Sequence, residues 1–228
     1  MKEQFSRTAA VLGKPAIERL NNSSVAVFGI GGVGGFAVEA LARAGVGKIT
    51  LIDNKKVSKS NINRQIIALN STIGQYKTEV AKKRIADINP DCRVEIYNLF
   101  FLPENAQKID FREFDYVIDA VDTVTAKLEI VQQCNKLNIP VISAMGAGNK
   151  TDPTAFKVAD ISKTKVCPLA RAMRQNLKKL GIFKLKTVYS EELPTVSSNM
   201  ENTPGSLPFV PSVMGLIIAG EVIKNLCR

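Results

Sequence analysis

The sequence predicts an α/β protein with a doubly wound, mainly parallel sheet and an elaborated C-terminal third. Two observations predict this class. Short apolar runs alternate with helical patterns over the first two-thirds of the chain, as in the βαβ units of parallel sheets. After Gly148 this rhythm ends, and prolines and basic residues become frequent. With 228 residues, of which 45% are hydrophobic, the chain is long enough to build one sizeable core.

Five core strands are predicted from short apolar runs bounded by polar or turn residues: 24–28, 48–52, 93–97, 116–120 and 140–144. Three segments between them carry apolar residues at helical spacing and predict helices: 34–44, 77–88 and 124–137. Gly45 and Pro90 end the first two of these helices. The C-terminal third predicts two further strands (155–159 and 187–189), two helices (168–180 and 212–226) and an irregular loop (190–211).

The composition excludes several classes of enzyme. The chain has no histidine, so no imidazole is available for Ser-His-Asp hydrolysis, Cys-His proteolysis or a His-ligated zinc site. The four cysteines are scattered without a CxxC pair, which argues against a structural zinc site and a disulfide framework. Residues 1–10 lack an apolar signal region, and the apolar stretch 209–220 is too short to span a bilayer. We therefore expect a reduced, cytoplasmic protein with no transmembrane segment.

The net charge of +10 is concentrated in one segment. Residues 161–190 contain eight basic residues and no acidic one, whereas the remaining 23 lysines and arginines nearly balance the 21 acidic residues of the chain. Such a segment indicates either a polyanionic partner or a solvated basic helix face without a partner. The charge pattern alone does not separate these alternatives.

A glycine-rich motif lies between the first predicted strand and the first predicted helix. It reads Gly-Ile-Gly-Gly-Val-Gly and contains Gly29, Gly31, Gly32 and Gly34. In this context the glycines allow a tight turn and a close approach of the backbone to phosphate groups, as in a Rossmann-like nucleotide site. Asp53, at the end of the second strand, is close to the spacing expected of a carboxylate that binds ribose hydroxyls. The motif alone does not separate NAD, FAD and ATP, and a purely structural turn is the alternative.

The residues after the second strand favour a triphosphate. Arg64 and Lys77 together have the charge to hold the β- and γ-phosphates of ATP while pyrophosphate leaves. Asp122, just after the fourth strand, offers a carboxylate to Mg²⁺. Each residue also has an ordinary structural interpretation, with Lys77 as an exposed residue at a helix start and Asp122 as a helix N-cap. Asn61 and Asn63 are likewise open to interpretation as turn residues.

Several short motifs together resemble the ubiquitin-activating-enzyme-like ATP-binding superfamily. They are the glycine motif followed by Asp53, Ser-Asn-Ile-Asn-Arg-Gln over 60–65, and Asp-Ala-Val-Asp over 119–122. Within the superfamily the chain is most similar to tRNA-modifying dehydratases. This closer resemblance rests on Phe-Ser-Arg-Thr over 5–8, Asp-Ile-Asn-Pro over 87–90 and Pro-Leu-Ala-Arg over 168–171, and it covers essentially the whole chain.

The resemblance implies an ATP-dependent activity. Such dehydratases activate the threonine carboxylate of N6-threonylcarbamoyladenosine at position 37 of tRNA, and a neighbouring group then closes a ring while AMP and pyrophosphate are released. ATP and Mg²⁺ are the implied cofactors, with Arg64, Lys77 and Asp122 in catalysis and Asp122 linked to the metal. Arg7 matches an arginine that, in related enzymes, reaches the ATP of the partner subunit in a homodimer. The implied ATP-binding residues are Gly29, Gly31, Gly32, Gly34, Asp53, Asn61, Asn63, Arg64, Gln65, Lys77 and Asp122.

The resemblance also gives the basic segment an expected partner. The tRNA backbone would be contacted without base readout, through Arg171, Arg174, Lys178 and Lys179. No DNA partner is expected, and a sulfur-relay protein partner is left open. We expect a single domain over 1–228, with an N-terminal arm (1–23), a nucleotide-binding core (24–148) and a C-terminal elaboration (149–228) that contains the basic segment.

Three alternative functions stay open on the sequence. The first is an adenylyltransferase that activates the C-terminus of a ubiquitin-like sulfur-carrier protein, although such enzymes commonly hold zinc through CxxC pairs that this chain lacks. In such an enzyme Cys167 would form a thioester, whereas the simpler interpretation makes Cys167 a small buried residue. The others are a regulatory module that binds a nucleotide without catalysis, and an NAD-dependent oxidoreductase, for which the sequence indicates no hydride-acceptor pocket.

Overall fold

The structure of the protein is a computed structural model, which describes residues 2–195 and 204–228. It confirms the α/β class. The strands are β1 (Ser24–Phe28), β2 (Lys48–Ile52), β3 (Arg93–Tyr97), β4 (Tyr116–Asp119), β5 (Val141–Ala144), β6 (Phe156–Asp160) and β7 (Lys186–Ser190). The helices are α1 (Ser6–Leu12), α2 (Lys14–Asn21), α3 (Gly34–Ala44), α4 (Lys77–Ile88), α5 (Val124–Leu137), α6 (Pro168–Lys179) and α7 (Val210–Leu226).

The strands form one sheet in the order β3-β2-β1-β4-β5-β7-β6. Neighbouring strands are parallel except β6 and β7, which run antiparallel. The chain builds outward from β1 through β2 and β3, and then returns to place β4 on the other side of β1. This reversal creates a crevice beyond the carboxyl ends of β1 and β4, where doubly wound sheets bind their ligands.

Helices cover both faces of the sheet, and β1 is buried along its whole length. One face packs in a cluster with α2, α3, α4 and α7, through residues such as Leu20, Leu41 and Ile218. The other face packs against α5 and α6, through residues such as Ile130 and Met173. Because a strand buried on both faces needs no polar side, β1 is almost entirely apolar, whereas the edge strand β3 carries Arg93 and Glu95.

Helix α7 lies against α3, directly behind the glycine motif. A Cβ at Gly215 would stand 2.2 Å from the carbonyl oxygen of Val33, so only glycine allows this approach of the two helices. At the start of α7, the Pro211 ring lies 3.2 Å from the position a Cβ would take at Gly32. Helix α7 therefore supports the loop that follows β1. Within the described ranges, neither α7 nor another helix has the length and hydropathy needed to cross a membrane.

Two regions differ from the sequence prediction. The segment 1–23, predicted only as an arm, forms α1 and α2, because Phe5, Ile17 and Leu20 are buried in the main core. Helix α7 begins at Val210 rather than at residue 212, since proline is tolerated in the first turn of a helix. The other element boundaries agree with the prediction or differ from it by one residue. Within the predicted loop 190–211, residues 196–203 lie outside the described residues.

Candidate nucleotide-binding site

A cleft of about 620 Å³ opens beyond the carboxyl ends of β1, β2 and β4. The structure brings most of the predicted ATP-binding residues together in it: Gly29, Gly31, Gly32, Asp53, Asn61, Arg64, Gln65, Lys77 and Asp122. Gly34 and Asn63 are not among the described residues that line the cleft. Residues far apart in the sequence therefore share one cavity at the position that the topology favours for a ligand.

The glycine motif forms the floor of the cleft. Gly29 has a left-handed φ of 88°, and a Cβ there would stand 2.6 Å from the carbonyl oxygen of Ala120. Gly34 opens α3 and packs behind the floor, against the Gly29 carbonyl. The N-cap residue of α3, Val33, makes no side-chain hydrogen bond to the first turn. In the first turn the Gly35 amide donates to the Gly31 carbonyl oxygen at 2.9 Å, so an anion would meet the remaining first-turn amides and the positive end of the helix dipole.

Asp53 is held rigidly at the mouth of the cleft. Its Oδ2 accepts a hydrogen bond from the Ile30 amide at 2.8 Å, and its Oδ1 accepts one from the Lys55 amide at 2.7 Å. Each carboxylate oxygen keeps further acceptor capacity. The side chain is thus fixed in position, while its remaining lone pairs can accept from ligand hydroxyls.

Lys77 is the most unusual charged residue of the cleft. It begins α4 and is only 5% exposed. The alternative interpretation of Lys77 as an ordinary exposed lysine at a helix start is therefore wrong. Burial lowers the pKa of its ammonium group; the carboxylates of Asp53 and Asp122 oppose this shift, and the cations Lys55 and Arg64 add to it. Asp53 and Asp122 act on the ammonium group through their charge and not through a hydrogen bond. A largely buried cation gains from an anion that binds beside it, so the site suits an anionic ligand.

Arg64 is oriented by its own neighbours. One terminal nitrogen, Nη1, donates to the Ser60 carbonyl oxygen at 2.9 Å and to Asn63 Oδ1 at 2.8 Å. The Asn63 amide group in turn donates to the carbonyl oxygen of Ser206 at 2.9 Å. Asn63, predicted to contact ATP, thus connects Arg64 to the segment 204–206 on the rim of the cleft.

Asn61 and Gln65 have different surroundings. Asn61 Oδ1 accepts from the Ser58 amide at 3.2 Å and closes a turn, which leaves its amide nitrogen free to donate. Gln65 Oε1 is buried and has no hydrogen-bond partner among the described residues. Because buried polar atoms are nearly always paired, the side-chain amide of Gln65 points to a polar ligand in the cleft.

Asp122 stands on the rim of the cleft. Its side chain is largely exposed, and its Oδ2 lies 3.5 Å from Lys55 Nζ. The N-cap of α5 is Thr123, so Asp122 does not have the structural role considered for it. Within residues 2–195 and 204–228 there is no cluster of three or more acidic, cysteine or histidine side chains that could enclose a metal. One carboxylate is nevertheless enough for Mg²⁺ when nucleotide phosphates supply the other ligands.

Two parts of the cleft wall were missed by the sequence analysis. One is the run 99–101, which comprises a leucine and two phenylalanines directly after β3. Its apolar composition just past a strand end at the ligand-binding edge is a signal that could have identified it. The other is the segment 204–206, which faces Gly148 across the rim. That segment carries no local signal, because a long-range fold contact places it there.

The four residues predicted to contact tRNA lie on α6, outside the cleft. Three of them are exposed along the helix: Arg171, Lys178 and Lys179. Arg174 is half-buried, and its Nη1 donates to the carbonyl oxygens of Ile161 and Thr164 and, at 2.7 Å, to the Thr164 hydroxyl. These bonds fasten the segment before α6 to the helix. Arg174 therefore has a structural role that the charge pattern did not reveal.

Arg7 and Cys167 also lie outside the cleft. Arg7 is an exposed residue of α1 and is not among the described lining residues. Cys167 is 4% exposed at the N-cap of α6, with its Sγ 3.5 Å from the Cβ position of Gly146. The simpler interpretation of Cys167 as a small buried residue agrees with this placement.

The chain was compared with known proteins. It matches the ThiF family over residues 5–228. The tRNA threonylcarbamoyladenosine dehydratase of Bacillus subtilis is 46% identical over 244 aligned positions, which cover 100% of this chain and 96% of that protein. The crystal structure of Escherichia coli tRNA N6-threonylcarbamoyladenosine dehydratase, TcdA, in complex with AMP is similar at a TM-score of 0.93 and 36% identity. The structure of TcdA in complex with ATP is similar at a TM-score of 0.90 and 35% sequence identity.

These similarities extend over almost the whole chain. Each of the two alignments covers 98% of this chain. They cover 94% of the TcdA chain with AMP and 93% of the TcdA chain with ATP. The family match begins at Phe5 and runs to Arg228, so it includes the glycine motif, the cleft residues and the basic helix. On its sequence, its fold and the geometry of its cleft, this chain belongs to the ThiF family.

Proposed function

We propose that this protein uses ATP to activate the threonine carboxylate of N6-threonylcarbamoyladenosine at position 37 of tRNA and then cyclises it. The observation that carries the proposal is the pair of cations Lys77, only 5% exposed, and Arg64 in the lining of a glycine-floored cleft. This arrangement suits the phosphates of a nucleotide. The similar dehydratase structures with bound AMP and ATP support the same conclusion.

The cleft has a distinct place for each part of ATP. Asp53 is fixed where it can accept hydrogen bonds from ribose hydroxyls. Leu99, Phe101 and Ala126 line an apolar part of the cleft that suits the adenine ring. The phosphates would then lie over the N-terminus of α3, within reach of Lys77 and Arg64.

Mg²⁺ fits the exposed carboxylate of Asp122. Mg²⁺ usually binds through one or two carboxylates together with substrate phosphates and water, which this rim allows. When bound, the metal neutralises phosphate charge. Lys55 Nζ lies 3.5 Å from Oδ2 of the same carboxylate, so a lysine also stands beside the proposed metal position.

The chemistry needs little from the protein beyond placement. The activated carboxylate carries its own leaving group, and the attacking group belongs to the same side chain of the nucleoside, so proximity supplies much of the rate. Lys77 and Arg64 stabilise the charge on the departing phosphates. A chain without histidine can perform this reaction, because no imidazole base is required.

The surface that we propose for the tRNA is α6. Arg171 lies in its first turn, near Cys167, which packs against Gly146 just beyond β5. Lys178 and Lys179 lie in its last turn, about 12 Å further along the helix axis. The exposed cations thus form a row that leads away from the cleft edge of the sheet, as contacts to a phosphate backbone would require.

We also propose that residues 1–228 act as one domain and assemble as a homodimer in the cytoplasm, where tRNA is modified. Arg7 supports the dimer, because it lies outside the cleft of its own chain and would need the cleft of a partner subunit to act on ATP. Sedimentation velocity tests the assembly. A dimer at working concentration is expected, and a monomer would leave Arg7 without this role.

The decisive experiment measures AMP and pyrophosphate release with two tRNA samples. One carries threonylcarbamoyladenosine and the other lacks it, and nucleoside mass is read afterwards. We expect ATP cleavage only with the modified tRNA, together with the loss of one water from the nucleoside. Pyrophosphate exchange that is independent of tRNA would instead favour activation of a carrier protein.

A further inference from the structure

A closed hydrogen-bond ring lies beneath the floor of the cleft. Its members, Lys127, Asp119 and Ser143, are all fully buried. The Lys127 ammonium group donates to Asp119 Oδ2 at 3.0 Å and to Ser143 Oγ at 3.2 Å. Its third hydrogen bond, at 2.7 Å, goes to the carbonyl oxygen of Ala144. The Ser143 hydroxyl donates to Asp119 Oδ2 and closes the ring.

On one side the ring fixes the turn that leads to Asp122. Asp119 ends β4, and its Oδ1 accepts a hydrogen bond from the Val121 amide at 3.3 Å. The carbonyl oxygen of Ala120, in the same turn, is in close contact with Gly29 of the glycine motif. A shift of the Asp119 carboxylate would therefore move Asp122 relative to the phosphate site.

On the other side the ring holds the end of β5, from which the chain leads to a second part of the cleft wall. Ser143 and Ala144 are the last two residues of β5, and Lys127 reaches both of them from α5. The chain continues from there to Ala147 and Gly148, which line the cleft. Lys127 thus ties together the two loops between which a nucleotide would lie.

Stability alone is a weak reason for such a ring. Apolar residues of similar volume often join buried elements as well as an ion pair does, or better. An apolar contact, however, could not fix the directions of the Val121 amide and the Ala144 carbonyl. The location of the ring under both loops indicates a role in aligning them.

We propose that Lys127 is a positioning residue for Mg²⁺-dependent binding of ATP. Through Asp119 it holds the turn that presents Asp122 to the metal. Lys127 itself touches neither ATP nor metal, because its three donors are all used within the protein. This inference rests on the ATP use contained in the proposed function.

The test compares wild type with Lys127→Met, which keeps an unbranched side chain only one heavy atom shorter and removes its donors. ATP is titrated calorimetrically into the full chain, once with MgCl₂ and once with EDTA. We expect the affinity in EDTA to stay close to that of the wild type, because Asp53, Arg64 and Lys77 are unchanged. The gain in affinity from Mg²⁺ should fall by about tenfold, because loss of a group that orients a metal ligand lowers metal affinity by roughly this much or more.

Two control variants separate positioning from stability. Lys127→Arg keeps the charge and the donors, so it should recover most of the Mg²⁺ gain even where the larger side chain lowers the melting temperature. Glu39→Gln weakens the ion pair of Glu39 with Arg84, which lies outside the cleft. It should lower the melting temperature and leave the Mg²⁺ gain intact.

A folded Lys127→Met variant with the full Mg²⁺ gain would overturn the inference, and so would an equal loss of affinity with and without Mg²⁺. If this variant does not fold, Ser143→Ala takes its place, because it opens the ring with a smaller change. A wild-type protein that shows the Mg²⁺ gain but does not dehydrate the modified tRNA would defeat the proposed function and leave this inference standing.

Discussion

The cleft and helix α6 both concentrate positive charge, but they do so in opposite ways. In the cleft, Lys77 is almost completely buried and Arg64 is oriented by two hydrogen bonds. On α6, the cations of the first and last turns are exposed, and the segment 161–190 contains no acidic residue that could pair with them. The cleft cations have a high desolvation cost and a fixed geometry. The α6 cations are solvated, and their side chains can adapt to a partner.

This difference teaches what each kind of charge is suited to. A largely buried cation keeps only part of its hydration, so it gains most from a small polyanion that enters and replaces the remaining water. Exposed cations are screened by salt and contribute to binding mainly through release of counterions from a long polyanion. The same residue types therefore serve a nucleotide in one region and a nucleic acid in the other.

The largest expected effect comes from Lys77→Met. Loss of the buried cation should lower ATP turnover by about 10² to 10³-fold, because charge that develops on the leaving phosphates loses its fixed partner. The matched control is Lys83→Met, which removes an exposed lysine of the same helix and should leave turnover unchanged. Steady-state kinetics and thermal melting check both variants. Equal turnover in the two variants would show that the positive charge of Lys77 is not needed for ATP turnover.

The second effect concerns the exposed cations of α6. Replacing Arg171, Lys178 and Lys179 together by glutamine should weaken tRNA binding by about tenfold or more and flatten the dependence of log K on log salt by roughly two units. Filter binding across a salt series measures both quantities. The control replaces three exposed lysines elsewhere, Lys82, Lys83 and Lys136. If both triple variants lose the same affinity, the net charge matters and the location on α6 does not.

A third, smaller effect separates Arg174 from the exposed cations of its own helix. Arg174→Ala removes the hydrogen bonds to Ile161 and Thr164 and should destabilise the fold by about 1–3 kcal/mol. Lys178→Ala should leave stability nearly unchanged. Denaturant unfolding distinguishes them. If the Arg174 variant is as stable as wild type but binds tRNA more weakly, Arg174 contacts tRNA as the exposed cations do and is not needed for stability.

The smallest effect is a pH dependence of ATP affinity. Burial lowers the pKa of Lys77 in the free protein, and bound phosphates would raise it again because they stabilise the charged form. Between these two pKa values binding takes up a proton, so affinity should fall as pH rises, by at most about tenfold per pH unit. Calorimetry in two buffers of different ionisation enthalpy measures the uptake. Lys77→Met should abolish it, and uptake that persists in this variant would assign the proton to another group.

The sequence predicted the elements that are encoded locally. The run from β1 through the glycine motif into α3 is recognisable because strand, turn and helix follow one another directly. Residue type and order along the chain predicted Arg64 and Lys77 as site residues, and both line the cleft. The partners of Arg174 and the ring around Lys127 were not predicted, since they depend on contacts between elements that only the folded chain brings together. The same applies to the segment 204–206 on the rim of the cleft.

The contact between α7 and the glycine motif has a consequence for how the protein is made. The loop that would receive ATP is synthesised early, yet the helix that braces it through Gly215 and Pro211 leaves the ribosome only after all seven strands. Contacts that join distant parts of a chain form late in folding, because closing the intervening loop costs entropy. The nascent chain should therefore gain the ability to bind nucleotide only after α7 has docked, so a polypeptide still lacking α7 would not occupy cellular ATP.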